Sequence, residues 1–242
     1  EESIAIDFPT PEDGAKLSYS ASNKADYYAE NIRVKEGKMQ FDMTALDIMP
    51  GMTYEKKQED LVLILPGVHN VSNAVAASAV ACYLGLSCED VERGLSTFEG
   101  INRRFDIHIN TQQLVYVDDY AHHPEEVSAT INAARQLFPE REITVVFQPH
   151  LFSRTQDFAQ EFADSLSLAD QLILLDIYPA REEPIEGVNA KMLLDLCTNP
   201  KKETCSKEEL LEVLEGRKLD ALLTLGAGDI GALVQPIKHM LN

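Results

Sequence analysis

Short apolar runs alternate with helical patterns through the second half of the chain, and this alternation constrains the fold most. From residue 105 onward, apolar runs predict strands at residues 114–117, 143–147, 172–176 and 221–225. Helical spacing predicts helices at residues 124–138, 155–168, 190–197, 207–215 and 229–241. Strands and helices that alternate in this way form a mostly parallel sheet with helices on both faces. The alternation therefore predicts an α/β domain.

The chain before residue 105 has a different pattern, rich in predicted strands. Short segments at residues 16–20, 27–34 and 38–43, and an apolar run at 61–65, predict strands, and Glu36-Gly37 predicts a hairpin between two of them. Helices follow at residues 70–84 and 87–98, with Gly85 as the C′ residue of the first and Ser87 with Asp90 capping the second. The change of pattern divides the chain into residues 1–104 and 105–242.

Charge and composition exclude several classes of protein. Lys plus Arg is 21 and Asp plus Glu is 40, so the net charge of −19 argues against general nucleic-acid binding. Apolar runs fall well short of the ~18 residues that a membrane span needs, and a secretory signal is not evident. The four cysteines form no C-x-x-C pair and are expected to be reduced thiols of a cytoplasmic protein. Because the chain lacks an initiator Met, we expect it to be part of a longer protein.

The most informative polar cluster follows the strand predicted at residues 114–117. It reads Asp118-Asp119-Tyr120-Ala121-His122-His123-Pro124. Two acids, a phenol and two imidazoles at a strand end are poor packing groups but good groups for binding a polar ligand. Alternative interpretations are an acidic turn that caps the next helix, or a zinc site. The adjacent histidines lack the i, i+4 spacing that puts two ligands on one helical face, so we predict no metal site.

A second polar and basic run follows the strand predicted at residues 143–147. It reads Gln148-Pro149-His150-Leu151-Phe152-Ser153-Arg154-Thr155. In a parallel sheet the carboxyl ends of both strands lie on the same side and can be neighbours, and ligands collect there. His122, His150 and Arg154 would then form a local positive pocket in an acidic protein. Such a pocket suits a carboxylate.

Three weaker signals remain open between a binding role and a structural one. Residues 67–73 open a helix, and Asn70 and Asn73 share a face of its first turn, but Asn70 also fits a simple cap. Arg103 and Arg104, at the proposed junction, suit either a phosphate contact or a solvated surface. The glycine turn at residues 226–231 resembles a nucleotide-binding turn, and tight strand-to-helix packing explains it equally well.

Taken together, these motifs resemble those of the Mur ligases of bacterial cell-wall synthesis, from residue 25 nearly to the end of the chain. The resemblance is carried by residues 67–73, by Phe98-Glu99-Gly100 with Arg103-Arg104-Phe105, by residues 118–124, by residues 147–155 and by residues 226–231. The motifs Asp-Asp-Tyr-Ala-His-His-Pro and Gln-Pro-His-x-Phe-Ser-Arg-Thr are those of the alanine-adding branch and its near relatives.

The resemblance implies a fold and a reaction. Residues 1–104 would be the C-terminal part of the family's central, ATP-binding domain, a truncated remnant that is β-rich with helices. Residues 105–242 would be the Rossmann-like C-terminal domain that brings in the amino acid. The family's reaction uses ATP and Mg²⁺ to convert the carboxylate of UDP-N-acetylmuramate into an acyl phosphate. The amine of L-alanine then attacks, and phosphate leaves.

The resemblance also implies roles for single residues. The nucleotide site would include His69, Asn70, Asn73, Arg104 and Asp119, with Asp119 on the ribose hydroxyls. The L-alanine site would include Tyr120, His122, His150 and Arg154. We expect His122, His150 and Arg104 to act in catalysis, and one of the histidines is a candidate for accepting the proton of the amine.

Two departures from the family pattern limit what the resemblance implies. Leu151 stands where many relatives have a second arginine, so carboxylate recognition by that position does not carry over. The phosphate-binding motif Gly-x-x-x-x-Gly-Lys-Ser/Thr does not occur, so this chain alone is expected to be inactive. Alternative functions are the recycling ligase that attaches a whole tripeptide to the same sugar, and a non-catalytic nucleotide or amino-acid sensor.

Overall fold

The computed structural model describes residues 17–45 and 56–242. These residues form two compact units, one holding most of the residues up to Thr97 and the other including all residues from Phe98 to Asn242. Within these residues, every helix is too short or too polar to span a membrane. Lys16, where we predicted the first strand to begin, lies outside the described residues.

The first unit is a four-stranded sheet with two helices. Its strands are β1 (Tyr19–Ser20), β2 (Tyr27–Lys35), β3 (Lys38–Ala45) and β4 (Lys56–Leu63), in the spatial order β1-β2-β3-β4. Its helices are α1 (Val68–Tyr83), which contacts β1 and β2, and α2 (Cys88–Thr97), which contacts β4. β1 pairs in parallel with β2, whereas β3 and β4 are antiparallel.

Local sequence signals in this unit correspond to its turns and caps. Glu36 and Gly37 have φ values of 53° and 74°, the left-handed pair of a two-residue hairpin turn, which confirms the predicted hairpin. Gly85 ends α1 with φ 88°. The Ser87 hydroxyl accepts a bond from the Asp90 N–H at 3.1 Å and donates to the Asp90 carboxylate at 2.7 Å, which confirms the predicted cap.

The second unit is a six-stranded sheet covered by helices. Its strands are β5 (Asp106–Asn110), β6 (Val115–Asp119), β7 (Ile143–Phe147), β8 (Gln171–Leu175), β9 (Lys201–Cys205) and β10 (Ala221–Leu225). Its helices are α3 (Pro124–Leu137), α4 (Phe152–Asp157), α5 (Ala159–Leu166), α6 (Ala190–Leu196), α7 (Leu210–Glu215) and α8 (Val234–Leu241), with a 3₁₀ turn at Asp229–Leu233.

The strand order in this sheet is β5-β6-β10-β7-β8-β9. Only β5 runs antiparallel to its neighbour, so the prediction of a mostly parallel α/β sheet is confirmed. The strands that precede the two polar clusters, β6 and β7, are not direct neighbours, because the last strand, β10, lies between them. Their carboxyl ends still lie on the same side, since each pairs in parallel with β10.

The sheet carries a hydrophobic core on each face. Alternate residues of one strand enter different cores: Val115 and Val117 of β6 pack with α3, α5 and α6, whereas Tyr116 packs with α7 and α8. The strands β7, β8 and β10 are buried on both faces and are therefore mostly apolar. Each buried Val, Leu or Ile contributes roughly 1.5–3 kcal/mol of hydrophobic stabilisation.

Several predicted boundaries in this unit were wrong. β5 and β9 were not predicted, because both lie at sheet edges and neither contains a continuous apolar run. The helix predicted at residues 155–168 is two helices that meet at Phe158. β6 extends two residues further than predicted, so that Asp118 and Asp119 are its last residues rather than part of the following loop.

Candidate functional site

The carboxyl ends of β6, β10 and β7 form the edge at which the polar clusters meet. The chain leaves β6 and β7 toward helices of one face, and leaves β10 toward α8 on the other face. Such a reversal opens a crevice outside the strand ends, where ligands of open α/β sheets bind. Backbone bonds join the three ends: Gly226 N–H donates to Asp119 O at 3.2 Å, and Gln148 N–H donates to Leu225 O at 3.0 Å.

The structure brings the two predicted histidines together at this edge. The His122 and His150 rings lie 6.2 Å apart, centroid to centroid, and are nearly perpendicular. Tyr120 also lies beside His122, with ring centroids 5.2 Å apart. The Arg154 guanidinium, in the first turn of α4, is close enough to His150 for its charge to act on that ring. The four residues predicted for the amino-acid site therefore share one end of the sheet.

His122 has a defined proton position. Its Nδ1 lies 3.0 Å from the Tyr120 carbonyl oxygen and 3.2 Å from the Glu126 carboxylate. Both partners are acceptors, so Nδ1 carries the hydrogen. With a hydrogen on Nδ1, the position that can accept a hydrogen bond when the ring is neutral is Nε2.

His150 and Arg154 each hold a buried polar atom that lacks a protein partner. In the described part of the chain, five buried side-chain atoms lack one: His108 Nε2, Thr144 Oγ1, His150 Nδ1, Arg154 Nη1 and Asn199 Oδ1. Two of the five are on the single turn that contains the predicted carboxylate-binding arginine. Buried polar groups are normally satisfied, so these two indicate a place for a polar ligand.

The charge state of His150 follows from its surroundings. Burial, and then the positive charge of Arg154 and the neighbouring His122, lower the pKa of its imidazole below the ordinary value of histidine. The ring is therefore neutral at pH 7 and has a lone pair for a donor.

Arg103 and Asp118 form a buried structural pair rather than a binding site. Arg103 Nε donates to Asp118 Oδ2 at 2.9 Å, and its Nη2 donates to Gly226 O at 2.6 Å. Asp118 is fully buried and also accepts from the Thr224 hydroxyl at 2.7 Å. Through these bonds, Arg103 connects the start of the second unit to the ends of β6 and β10.

Arg104 is the more accessible of the two adjacent arginines. Its side chain is 46% exposed, and its Nη1 lies 3.7 Å from the Glu126 carboxylate. Both guanidinium groups lie over the Tyr120 ring, at 5.2 Å for Arg103 and 5.8 Å for Arg104. An exposed guanidinium beside an aromatic ring retains donors for an anionic ligand.

Asp119, predicted to hold ribose, is already engaged by the backbone. It is 5% exposed, and its two oxygens accept from Phe105 N–H at 2.7 Å and Ala121 N–H at 2.8 Å. These bonds hold Phe105, whose φ is 48°, against the end of β6. A ribose contact would use a remaining lone pair of this carboxylate.

The buried Asp119 carboxyl should make the stability of the protein depend on pH. Burial raises its pKa to about 6 from 3.8. Because the folded state then binds this proton more tightly than the unfolded chain, the free energy of unfolding falls as the pH rises through this range. Raising the pH from 4 to 7 should therefore lower the free energy of unfolding by about 2 kcal/mol through this group. The difference in unfolding free energy between the wild type and Asp119→Asn, from urea titrations at both pH values, should change by that amount.

A matched control for this titration is Asp90→Asn, which removes a carboxyl from the exposed side of α2. Its effect on unfolding should vary little over the same range. Parallel pH profiles for the wild type and Asp119→Asn would contradict the elevated pKa.

The first unit presents its three predicted nucleotide contacts at the start of α1. The helix begins at Val68, two residues earlier than predicted, so Asn70 lies inside the first turn and not at the cap. His69 and Asn73 are exposed, and Asn70 is half-buried. The arrangement leaves these side chains at a helix N-terminus, where backbone N–H groups also point outward.

The glycine turn after β10 is closely packed against the β7 end. A Cβ at Gly226 would lie 2.8 Å from Gln148 O, and one at Gly231 would lie 2.7 Å from Arg103 Nη1. The Gln148 side chain bonds to the same turn, accepting from Ile230 N–H at 2.9 Å and donating to Asp229 at 2.7 Å. Close packing against Gln148 and Arg103 thus accounts for at least Gly226 and Gly231.

Across residues 17–45 and 56–242, no three His, Cys, Asp or Glu side chains are grouped so that they would hold a metal ion. Such a group is not required for the Mg²⁺ that the resemblance to Mur ligases implies, because Mg²⁺ is usually held by one or two carboxylates together with water and phosphate oxygens.

Comparison with known proteins identifies the family. The family described as Mur ligase, glutamate ligase domain, matches residues 103–228, more than half of the chain. The chain is 47% identical over 226 residues to the UDP-N-acetylmuramate–L-alanine ligase of Parabacteroides distasonis, a match that covers 93% of this chain and 47% of that protein. The chain spans about half the length of the curated relatives that it matches.

Solved structures show the same fold. The UDP-N-acetylmuramate–alanine ligase of Thermotoga maritima matches with a TM-score of 0.74 and 26% identity, over 93% of this chain and 47% of that one. A murein peptide ligase from Psychrobacter arcticus matches with a TM-score of 0.62 and 23% identity, over 92% of this chain and 45% of that one. With a family match across more than half of its residues, the chain belongs to the Mur ligase family.

Proposed function

We propose that this chain is part of an ATP-dependent ligase that joins L-alanine to UDP-N-acetylmuramate in peptidoglycan synthesis, and that its second unit holds the amino acid. The observation that carries the proposal is the pair of buried, unpartnered polar atoms on His150 and Arg154, beside His122 at the sheet edge. The high identity to a ligase named for these two substrates supports the same assignment.

The carboxylate of L-alanine is assigned to Arg154. A guanidinium is cationic at any physiological pH and can bind a carboxylate through two parallel hydrogen bonds. The buried Nη1 of Arg154 lacks a protein acceptor, and a carboxylate would supply one. The surrounding protein carries a net charge of −19, so a local cation is needed to attract an anionic group.

The amine of L-alanine is assigned to the two histidines. An amine must lose its proton before it attacks an acyl phosphate, and a neutral imidazole is a suitable acceptor near pH 7. The lowered pKa of His150 keeps that ring neutral, and His122 has Nε2 available. Tyr120 lines the same end of the sheet. In this proposal His122 and His150 orient the amine, and one of them takes its proton.

Nucleotide binding is assigned to two residues of the second unit and, separately, to three residues of the first. Arg104 has an exposed guanidinium for a phosphate group, and Asp119 retains lone pairs for ribose. His69, Asn70 and Asn73 would contribute from the start of α1. ATP supplies the phosphoryl group that turns the sugar carboxylate into an acyl phosphate, with ADP as the other product. The expected catalytic role of Arg104 is to stabilise charge on the transferring group.

Phosphate release by the full-length protein tests the assignment. With ATP, Mg²⁺ and UDP-N-acetylmuramate present, adding L-alanine should stimulate release of inorganic phosphate, because the acyl phosphate then has a nucleophile. The 242-residue chain should be inactive under the same conditions, because its sequence contains no phosphate-binding loop. Stimulation by a tripeptide but not by L-alanine would replace this proposal with the recycling ligase. Nucleotide binding without turnover would favour the sensor.

A further inference from the structure

We propose that Tyr178 is a positioning residue: its ring, stacked on the His150 imidazole, holds that imidazole in its orientation at the sheet edge. The inference rests on the proposed function in one respect only, namely that His150 orients the amine of L-alanine. The packing itself is a property of the second unit, and the sequence motifs did not include Tyr178.

Tyr178 is fixed by its backbone beside the turn that carries His150. Its N–H donates to Pro149 O at 2.8 Å, and its carbonyl accepts from Leu151 N–H at 2.9 Å. These two bonds form a short parallel bridge that continues the pairing of β7 and β8 past their ends. The Tyr178 ring then stacks on the His150 ring, with centroids 5.6 Å apart and planes 23° from parallel.

Gly228 lies close to the base of the Tyr178 side chain. A Cβ at Gly228 would lie 2.8 Å from Tyr178 Cβ and 2.9 Å from its Cγ, and it would lie closer still to Gln148 Oε1. A side chain at this position would therefore clash with both Tyr178 and Gln148. This packing explains why residue 228 is a glycine, and the explanation does not involve contact with a nucleotide.

The turn between His150 and Arg154 needs such support. Leu151 has φ 73° and ψ 136°, a conformation that non-glycine residues rarely adopt and that persists only where neighbours enforce it. Glu182 is the second support, since its carboxylate accepts from Ser153 N–H at 3.0 Å and from the Ser153 hydroxyl at 2.5 Å. The segment from Tyr178 to Glu182 thus holds both ends of the turn.

Removing the ring would change the surroundings of His150 in a measurable way. The stacked ring shields one face of the imidazole, and burial is the largest cause of the lowered His150 pKa. The charged or titratable groups that act on His150 are Arg154, His122 and Glu182. None of these is altered by a substitution at Tyr178, so a change in titration would report on shielding.

The test is an NMR titration of the 242-residue chain with isotope-labelled histidine. In Tyr178→Ala the His150 midpoint should rise toward the ordinary value of histidine, because the ring becomes hydrated. In the matched control, Tyr178→Phe, it should stay at the wild-type value, because Phe keeps the stack and lacks only the hydroxyl.

Two results would overturn the inference: a wild-type His150 midpoint in Tyr178→Ala, or, should that variant not fold, absence of ring-to-ring nuclear Overhauser effects between Tyr178 and His150 in the wild type. The titration needs no ligand, so it is independent of the proposed function. Failure of L-alanine to stimulate turnover in the full-length protein would count against the proposed function and leave the positioning role intact.

Discussion

Replacing Arg154 with alanine in the full-length enzyme should raise the KM for L-alanine by about 10- to 100-fold, which corresponds to the ~1.5–3 kcal/mol of a hydrogen bond to a charged group. The KM for ATP should change much less, because we assign Arg154 to the amino acid. Its buried Nη1, which lacks a protein acceptor, is the physical basis of this expectation. Initial-rate measurements with each substrate varied separately give both constants.

Two variants sharpen this comparison. Arg154→Lys keeps the charge but loses the planar pair of donors, so its KM for L-alanine should lie between the wild type and Arg154→Ala. Arg93→Ala makes the same change of charge on the exposed surface of α2 and should leave both constants unchanged. An unchanged KM for L-alanine in Arg154→Ala would contradict the assignment of the L-alanine carboxylate to Arg154.

Replacing Arg103 with alanine should lower the free energy of unfolding by about 3–5 kcal/mol, the cost of leaving one partner of a buried ion pair unpaired. Asp118 is fully buried, and without Arg103 its charge would retain only the hydroxyl of Thr224. The Arg103 side chain is itself 25% exposed, so an effect at the lower end of the range is expected. Urea unfolding followed by circular dichroism measures it.

The adjacent arginine is the control for this prediction. Arg104 carries the same charge one residue away, but it is 46% exposed and its nearest carboxylate is 3.7 Å from it. Arg104→Ala should therefore cost less than about 1 kcal/mol. Equal losses in the two variants would show that the Arg103–Asp118 pair has no special role. Partial recovery of stability in Arg103→Met/Asp118→Leu would indicate that the unpaired charge is the source of the loss.

The motif at residues 118–124 contains two kinds of polar residue, structural ones and ones that lie at the site. Asp118 and Asp119 were both predicted to lie in a ligand-binding loop, yet both are the last residues of β6 and hold backbone or side chain in place. Tyr120 and His122 follow directly and lie at the edge. The residues of this polar run therefore differ in role on either side of the true end of the strand. The sequence pattern does not show where β6 ends, because its last two residues are polar like those of the loop that follows.

Local patterns in the sequence predicted most of the elements and the family. Continuous apolar runs such as Ile143–Phe147 predicted strands buried on both faces, and the caps at Ser87 and Gly85 followed from bonds within one helical turn. These signals act between residues near each other in the chain, so the sequence contains them in readable form. The two polar clusters were found for the same reason, since each directly follows its strand.

Only the tertiary structure decided which distant residues meet. β10 is inserted between β6 and β7 by pairing over more than 70 residues of chain, and this placement brings the glycine turn between the two polar clusters. The roles of Tyr178, Glu182 and Gly228 follow from that packing. No periodicity or spacing encodes such contacts, because they depend on the order of strands in the sheet. The sequence thus specified the chemical groups, and the folding of the sheet determined which of them share a site.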